Sequence, residues 1–249
     1  MGEVRASIAC LGMLLASAAA ADTKIVYVEE GGAGATAVLY VAAGHARLDL
    51  PGAEDRWVLF DAAGPSLRAV DPARKRFSRL DAEEIARLSA RVAAANAQLE
   101  EELAGVPPEQ RAQVERVLGK VVIGASAPAY TRSGTKAKVN GFECEQVGYE
   151  IATQRGEACL APAKALALSE ADARTLEQLR AFADRLSAEA FPAGLGARVQ
   201  VAGLDGLPVR AKHADEPAQI AKTVSHDTLP GSLFEVPAGY TLEPLQLPE

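Results

Sequence analysis

Between Thr23 and Leu80 the chain is a series of short segments, most of them alternating in polarity, that break at turn residues. Side chains on a strand point alternately to opposite faces, so such a pattern specifies half-buried strands rather than helices. KIVYVEE ends at Gly31-Gly32, TAVLYVAA ends at Gly44, and RWVLFD ends at Ala62-Ala63-Gly64-Pro65. SLRAVD and KRFSRL flank Asp71-Pro72-Ala73-Arg74, where a proline at the second turn position presets φ. The expected structure is an antiparallel meander. Trp57 to Phe60 is apolar at every position, which marks a central strand covered on both faces.

At Asp81 the period lengthens. Asp81 with Glu84 three residues on reads as a capping box, and Ile85, Leu88, Val92, Leu99 and Leu103 form one helical stripe to about Ala104. Pro107-Pro108 opens a second helix bearing Val114, Val117 and Leu118, closed by Gly119, so a helix pair is expected near 81–119. Strands resume from Tyr130 to Leu160, with Asn140-Gly141 as a type I′ turn signal. Ser169 and Asp172 cap a third helix near 169–191, with the stripe Leu176, Leu179, Phe182, Ala183 and Leu186, before Phe191-Pro192. ARVQVAG, LPVRAKH and AQIAKTVSH return to the strand pattern, and Pro230-Gly231 leads into Leu233 to Pro237. No repeat or long linker divides the chain. The expected fold is a single α+β domain over 22–249, a curved antiparallel sheet with helices packed on its concave face.

Residues 1–21 are set apart as a signal peptide. Ile8 to Ala21 is an apolar run of 14 residues, too short to span about 30 Å of hydrocarbon, with small residues Ala19 and Ala21 placed for cleavage before Asp22. Arg5 is opposed by Glu3, so an uncleaved anchor is the alternative. Cys10 lies near the start of the apolar run rather than after it, which argues against lipidation there. With the signal removed, Cys144 and Cys159 remain, in an oxidising compartment. They flank two strand-like stretches joined by Thr153-Gln154-Arg155-Gly156, which favours a structural disulfide over a redox or metal pair.

Composition narrows the function classes. Thirty-three acidic against 26 basic side chains give a net charge of −7, which speaks against nucleic-acid binding. Of the 49% hydrophobic residues, 51 are alanines, leaving a modest core of Leu, Val and aromatics. Catalytic templates are missing. Gly31-Gly32-Ala33-Gly34 runs into a strand instead of a helix N-terminus, so it reads as a hairpin loop rather than a phosphate cradle. Ser126 lacks a nucleophile-elbow context. His45, His213 and His226 share no metal-ligand spacing, and Arg74-Lys75-Arg76 reads as a solvated turn. No catalytic residue, metal or cofactor is therefore assigned. The residues that do group are apolar: Trp57, Leu59 and Phe60 on the central strand, with Leu88, Val92, Leu179 and Phe182 from the helix stripes. They form either a closed core or the lining of a cavity.

Four features together carry a resemblance: the export signal, SLRAVDPARKRFSRLD, Asn140-Gly141-Phe142-Glu143-Cys144, and Phe234-Glu235-Val236-Pro237-Ala238-Gly239-Tyr240 after Leu207-Pro208-Val209. From about Thr23 to Tyr240 the chain resembles an uncharacterised family of exported bacterial proteins, a domain of unknown function similar to the periplasmic lipoprotein-carrier (LolA-like) fold. The resemblance implies an open half barrel of about eleven strands whose concave face is closed by helices, enclosing an acyl-chain site in some relatives. It brings no catalytic residues, and no arginine here matches the carrier's acyl-receiving arginine. The expectation is a periplasmic, non-enzymatic protein that binds a lipid or lipoprotein acyl chain, with no membrane-spanning segment after cleavage. The alternative is a cell-envelope module with a filled core that contacts another envelope protein; a hydrolase ranks third, with no constellation to support it.

Overall fold

The computed structural model describes residues 21–50, 52, 55–107, 110, 129–151, 154–189, 206–213 and 216–245. The expected signal peptide up to Ala20, the second expected helix after Pro107-Pro108, Ser126 and the ARVQVAG stretch lie outside them. Strands β1 (Asp22–Glu29), β2 (Ala35–Ala42), β3 (His45–Leu50), β4 (Arg56–Asp61), β5 (Ser66–Asp71) and β6 (Arg76–Leu80) come first. Helix α1 (Ala82–Ala104) follows, then β7 (Ala129–Val139), β8 (Phe142–Ile151) and β9 (Gln154–Ala161). A 3-10 turn (Ala163–Leu166) leads to helix α2 (Glu170–Glu189). The chain ends with β10 (Leu207–His213), β11 (Gln219–Asp227), a second 3-10 turn (Gly231–Phe234) and β12 (Thr241–Leu242).

All twelve strands join one open sheet in the order β12-β6-β5-β4-β3-β2-β1-β11-β10-β9-β8-β7. Every ladder is antiparallel except the short β12–β6 pair. The fold is thus α+β, with a curved, mostly antiparallel sheet. Strand β3 departs from the sequence expectation, which ran directly from TAVLYVAA to RWVLFD. Its sequence, HARLDL, alternates strictly, with His45, Arg47 and Asp49 on one face and Ala46, Leu48 and Leu50 on the other, so the half-buried strand signal is present and was passed over. The β8–β9 turn is also tighter than expected: Ile151 pairs with Gln154, so Gln154, Arg155 and Gly156 belong to β9.

Register separates the two faces of the sheet. Leu80, Leu67, Phe60, Ala46 and Val41 are cross-strand neighbours in one row, and Ile85, Leu88 and Phe182 from the helices pack over its Leu80, Phe60 and Ala46. A second cluster on the same face holds Ile25, Leu39, Cys144, Cys159, Leu166 and Val209. The sheet bends toward this face. Asn140, at the tip of the β7–β8 hairpin, donates from Nδ2 to the Ala221 carbonyl of β11 at 2.9 Å, although β9 and β10 lie between. Strands stand about 4.8 Å apart, so a flat sheet would keep that tip some three spacings away. The tip itself is a two-residue turn with φ of 47° at Asn140 and 90° at Gly141, the type I′ geometry that the Asn-Gly pair signals.

Two local devices begin and lock these elements. Asp81 is the N-cap of α1, accepting from the Glu83 and Glu84 amides at 3.1 and 3.0 Å. Those bonds hold its carboxyl below the usual range. Cys144 and Cys159 form a disulfide across β8 and β9, buried beneath Leu166, with Cα atoms 5.4 Å apart. Closing this loop contributes about 3 kcal/mol in the chain-entropy account. Replacing both cysteines by alanine should lower unfolding stability by about that amount, read as an earlier urea midpoint. A loss under about 1 kcal/mol would mean that the β8–β9 ladder alone holds the hairpin.

Candidate functional site

The helix-bearing face is where side chains from many elements meet, and the position of α2 organises it. Two buried polar side chains in its first two turns tie it to the sheet. Thr23 on β1 donates from Oγ1 to Asp172 Oδ2 at 2.7 Å, and both residues are 1% exposed or less. Thr175, equally buried, accepts from the Gly44 amide at 2.9 Å and lies 3.3 Å from the Ala42 carbonyl, at the β2–β3 turn. Ser169 caps the helix, accepting from the Asp172 amide at 3.0 Å. Burial pushes the Asp172 carboxyl above its ordinary range, and nearby Asp22 adds to this; the Thr23 and Ser169 hydroxyls and His226 pull the other way.

So anchored, α2 lays Phe182 against Phe60, with ring centroids 6.0 Å apart, and Leu88 of α1 closes the third side. All three are at most 4% exposed. Leu179 packs against the same cluster from a half-buried position. Of the seven apolar residues singled out from sequence, the structure therefore gathers Phe60, Leu88, Leu179 and Phe182. Val92 is half-buried on α1, beyond this cluster. Trp57 and Leu59 belong to the opposite face, because residues one and three positions before Phe60 on a strand point away from it. There the Arg47 guanidinium stacks over the Trp57 ring at 4.4 Å and donates to the Leu233 carbonyl at 3.0 Å, while Phe234 packs on His45. Phe234 thus covers the outer face. Leu59 and Phe60, 2% and 3% exposed, do show β4 covered on both faces.

Beside α2 the helix-bearing face opens into a groove of about 270 Å³. Pro162, Ala163 and Leu168 form one wall, Ala173, Leu176 and Leu179 of α2 the other, and Gly206 and Leu207 the end. Glu177 and Arg180 stand at its margin. Leu179 is the one residue shared by the groove and the Phe60 cluster. The sequence reading missed the first wall. Its signal was the apolar run Ala161-Pro162-Ala163-Lys164-Ala165-Leu166-Ala167-Leu168, too irregular in period to read as helix or strand.

A second opening on the same face, about 320 Å³, lies at the far ends of β3 to β6. Its floor and margin are Leu50, Val58, Ala69 and Leu245, with Arg56, Asp71, Arg74, Arg76 and Glu243 around them. A polar depression at the ends of β7 to β10 is bordered by Thr131, Glu150, Arg155, Glu157 and Lys212. Behind it, the Tyr149 ring lies flat over Gly156, where a Cβ would sit 2.2 Å from the ring. Its hydroxyl is 2.5 Å from His213 Nδ1, and burial, with Glu216 and Tyr130 adding to it, raises it to about 12. Aromatic cover of a strand glycine is a packing device, and it accounts for this pair without chemistry.

The three histidines lie apart, on β3, β10 and β11. His45 contacts Phe234, His213 contacts Tyr149, and His226 lies 3.4 Å from Thr23 Oγ1. Among the described residues no group of three or more His, Cys, Asp or Glu could hold a metal ion, and no helix is long and apolar enough to cross a membrane.

Residues 125–240 match the family described as "Domain of unknown function (DUF4412)". The DUF4412 match takes in β7 to β11, α2 and the disulfide, and leaves β1 to β6 and α1 outside it. The likeness in sequence thus covers less of the chain than the stretch from Thr23 to Tyr240. No curated protein matches the sequence. Solved structures with a similar course include PNGF-II, at a TM-score of 0.46 and 9% identity over 90% of this chain; this chain spans 31% of PNGF-II's length. Another is an uncharacterized conserved protein from Thermus thermophilus, at a TM-score of 0.41 and 7% identity, with 91% of each chain covered.

The Asp172 anchor yields a signed test. A carboxyl raised in the folded state makes the protein lose stability as pH rises from about 3.9, the unfolded value, through the folded one. Asp172→Asn keeps an acceptor for Thr23 and carries no charge, so its stability should lack that fall and equal or exceed wild type at pH 7. Asp172→Ala strands the Thr23 hydroxyl and should cost about 1–3 kcal/mol. Denaturant unfolding across pH 3–7 reads both; a loss above about 2 kcal/mol for Asp172→Asn at pH 7 would show that the charge itself holds the helix.

Proposed function

We propose that this is an exported, non-enzymatic binding protein of the bacterial periplasm that holds an apolar chain, such as a lipid or lipoprotein acyl chain, in the groove beside α2. The supporting observation is that groove: seven apolar side chains converge where helix and curved sheet separate, next to the buried Phe60–Leu88–Phe182 cluster. A ligand site of this kind is mostly apolar with a few polar groups at its margin, the places Glu177 and Arg180 occupy. A volume near 270 Å³ holds about nine water-sized groups, enough for part of an acyl chain rather than all of one. The open curved sheet with helices on one face suits a LolA-like half barrel, and the buried disulfide is compatible with export.

A second reading has its own observation. The space between α1, α2 and β4 is filled by side chains at 4% exposure or less, which favours an envelope interaction module with a closed core. The two readings part at the groove. A fluorescent fatty-acid probe should bind the purified exported protein, and native mass spectrometry should find lipid adducts. Ala173→Phe, which fills the groove from a half-buried position, should weaken the probe at least about tenfold, about 1.4 kcal/mol. An apo mass throughout, with no probe binding and a stoichiometric protein co-purifying, would favour the interaction module instead.

A further inference from the structure

The opening at the ends of β3 to β6 has a composition unlike the rest of this chain. The protein carries seven more acidic than basic side chains, yet here three guanidiniums face two carboxylates. Asp71 sits between Arg56 and Arg74, 3.5 and 3.9 Å from their nitrogens, so both lean on one carboxylate. Arg76, the cross-strand partner of Asp71, is tied to Glu243 at 2.6 Å. These contacts aim the arginines without saturating them, since a guanidinium presents five donors in a planar fork. The Arg74–Asp71 pair is long and the Arg74 side chain is exposed, so a bound anion can displace it at little cost. Register puts Val58, Ala69 and Leu50 on the same face as Arg56, Asp71 and Arg76, and Leu245 reaches in from beyond β12. The run Arg74-Lys75-Arg76, which in the sequence reads as a solvated turn, thus borders a half-apolar basin.

We infer that this basin binds an anionic group, a phosphate or carboxylate, carried on an apolar stem, with Arg56 and Arg74 on the head and Val58, Ala69 and Leu245 under the stem. Arginine forks match such heads bidentately, which a lone ammonium does not. The volume, about 320 Å³, takes about ten water-sized groups, so it suits a head with a short length of stem. The groove beside α2 is a separate opening, and this site stands or falls independently of it.

Titration calorimetry with dodecyl phosphate below its micellar concentration, on the Ala173→Phe protein so that the groove beside α2 is filled, tests the assignment, with inorganic phosphate and dodecyl maltoside as companions. Dodecyl phosphate should bind, its affinity should fall as salt rises, and the Arg56→Gln/Arg74→Gln variant should weaken it at least about tenfold. Both arginines are surface residues, so the variant should melt as wild type does. Arg74→Lys should restore less than half of the lost affinity, because it returns charge without the fork. Inorganic phosphate binding as tightly as dodecyl phosphate would overturn the amphiphile assignment in favour of a free anion. With the groove filled, equal binding of the neutral maltoside, no binding of dodecyl phosphate, or binding that the arginine substitutions leave unchanged would overturn the site itself. None of these outcomes bears on the groove reading.

Discussion

Two buried hydrogen-bonding residues, Asp172 and Thr175, decide where everything else on the helix-bearing face lies. Apolar packing between a helix and a sheet is nearly indifferent to sliding, because one leucine can replace another in a shallow row. A buried carboxylate is not indifferent, since leaving it without its hydroxyl donor costs several times the worth of a methylene contact. Thr23 lies on β1 and Gly44 at the β2–β3 turn, so the two attachments bracket three strands and fix both the height and the direction of α2. The first turn of a helix favours negative charge, which offsets part of the burial of Asp172. A slide of one turn, about 5.4 Å, would break both attachments and take Phe182 off Phe60.

The sheet that receives this helix has its own constraint, which is to bend without exposing a bonding edge. Bending is concentrated where β7 and β8 fold inward, pinned by Asn140 on the Ala221 carbonyl and by the disulfide beneath Leu166. The register slips along β7 between Arg132 and Lys136, with φ of 69° at Gly134 inside the slip. A bulge with charged neighbours is a common way to make an edge strand a poor template for other chains. At the opposite edge the chain covers β6 with its own terminus. Thr241 and Glu243 donate amides to the Lys75 and Phe77 carbonyls at 3.0 and 2.9 Å, and Glu243 clasps Arg76. The same cover places Leu245 at the basin, so edge protection and site construction use one segment.

Local signals were legible in the sequence and relations between faces were not. The period change at Asp81, the caps at Asp81 and Ser169, the Asn140-Gly141 turn and the Cys144–Cys159 pair all appear as read, because each depends on residues within a few positions of one another. Strand β3 was legible in the strict alternation of HARLDL and was passed over; what the sequence does not show is that Arg47, on its outer face, packs on Trp57 rather than standing as a solvated charge. Trp57 was grouped with Phe60 on hydrophobicity alone, against the alternation that strand geometry imposes. The groove wall from Pro162 to Leu168 has no period to read, since it gains its meaning from α2 packing opposite it. The basin needed Arg56 and Arg74, 18 positions apart, to meet at Asp71, which only the strand register brings about.

A closed core and a ligand site need not compete for the same space in this architecture. The alanine-rich composition leaves few large side chains, and those on the helix-bearing face are spent in the centre, on Phe60, Ile85, Leu88 and Phe182. Packing at that density leaves no room for a chain between them. Toward both ends small residues stand among the larger ones: Ala163, Ala173 and Gly206 beside the leucines of the groove, and Ala69 beside Leu50 and Leu245 in the basin. Small side chains between two diverging layers leave concave space by default, because the layers are held apart by the large residues at the centre. Leu179 joins the central cluster to the groove and Leu245 joins it to the basin, so each opening has one wall that is rigid core. A site backed by a packed core is preorganised, and a ligand entering it forfeits little energy to rearrangement. The filled centre is therefore the condition for well-formed openings on either side of it, rather than evidence against them.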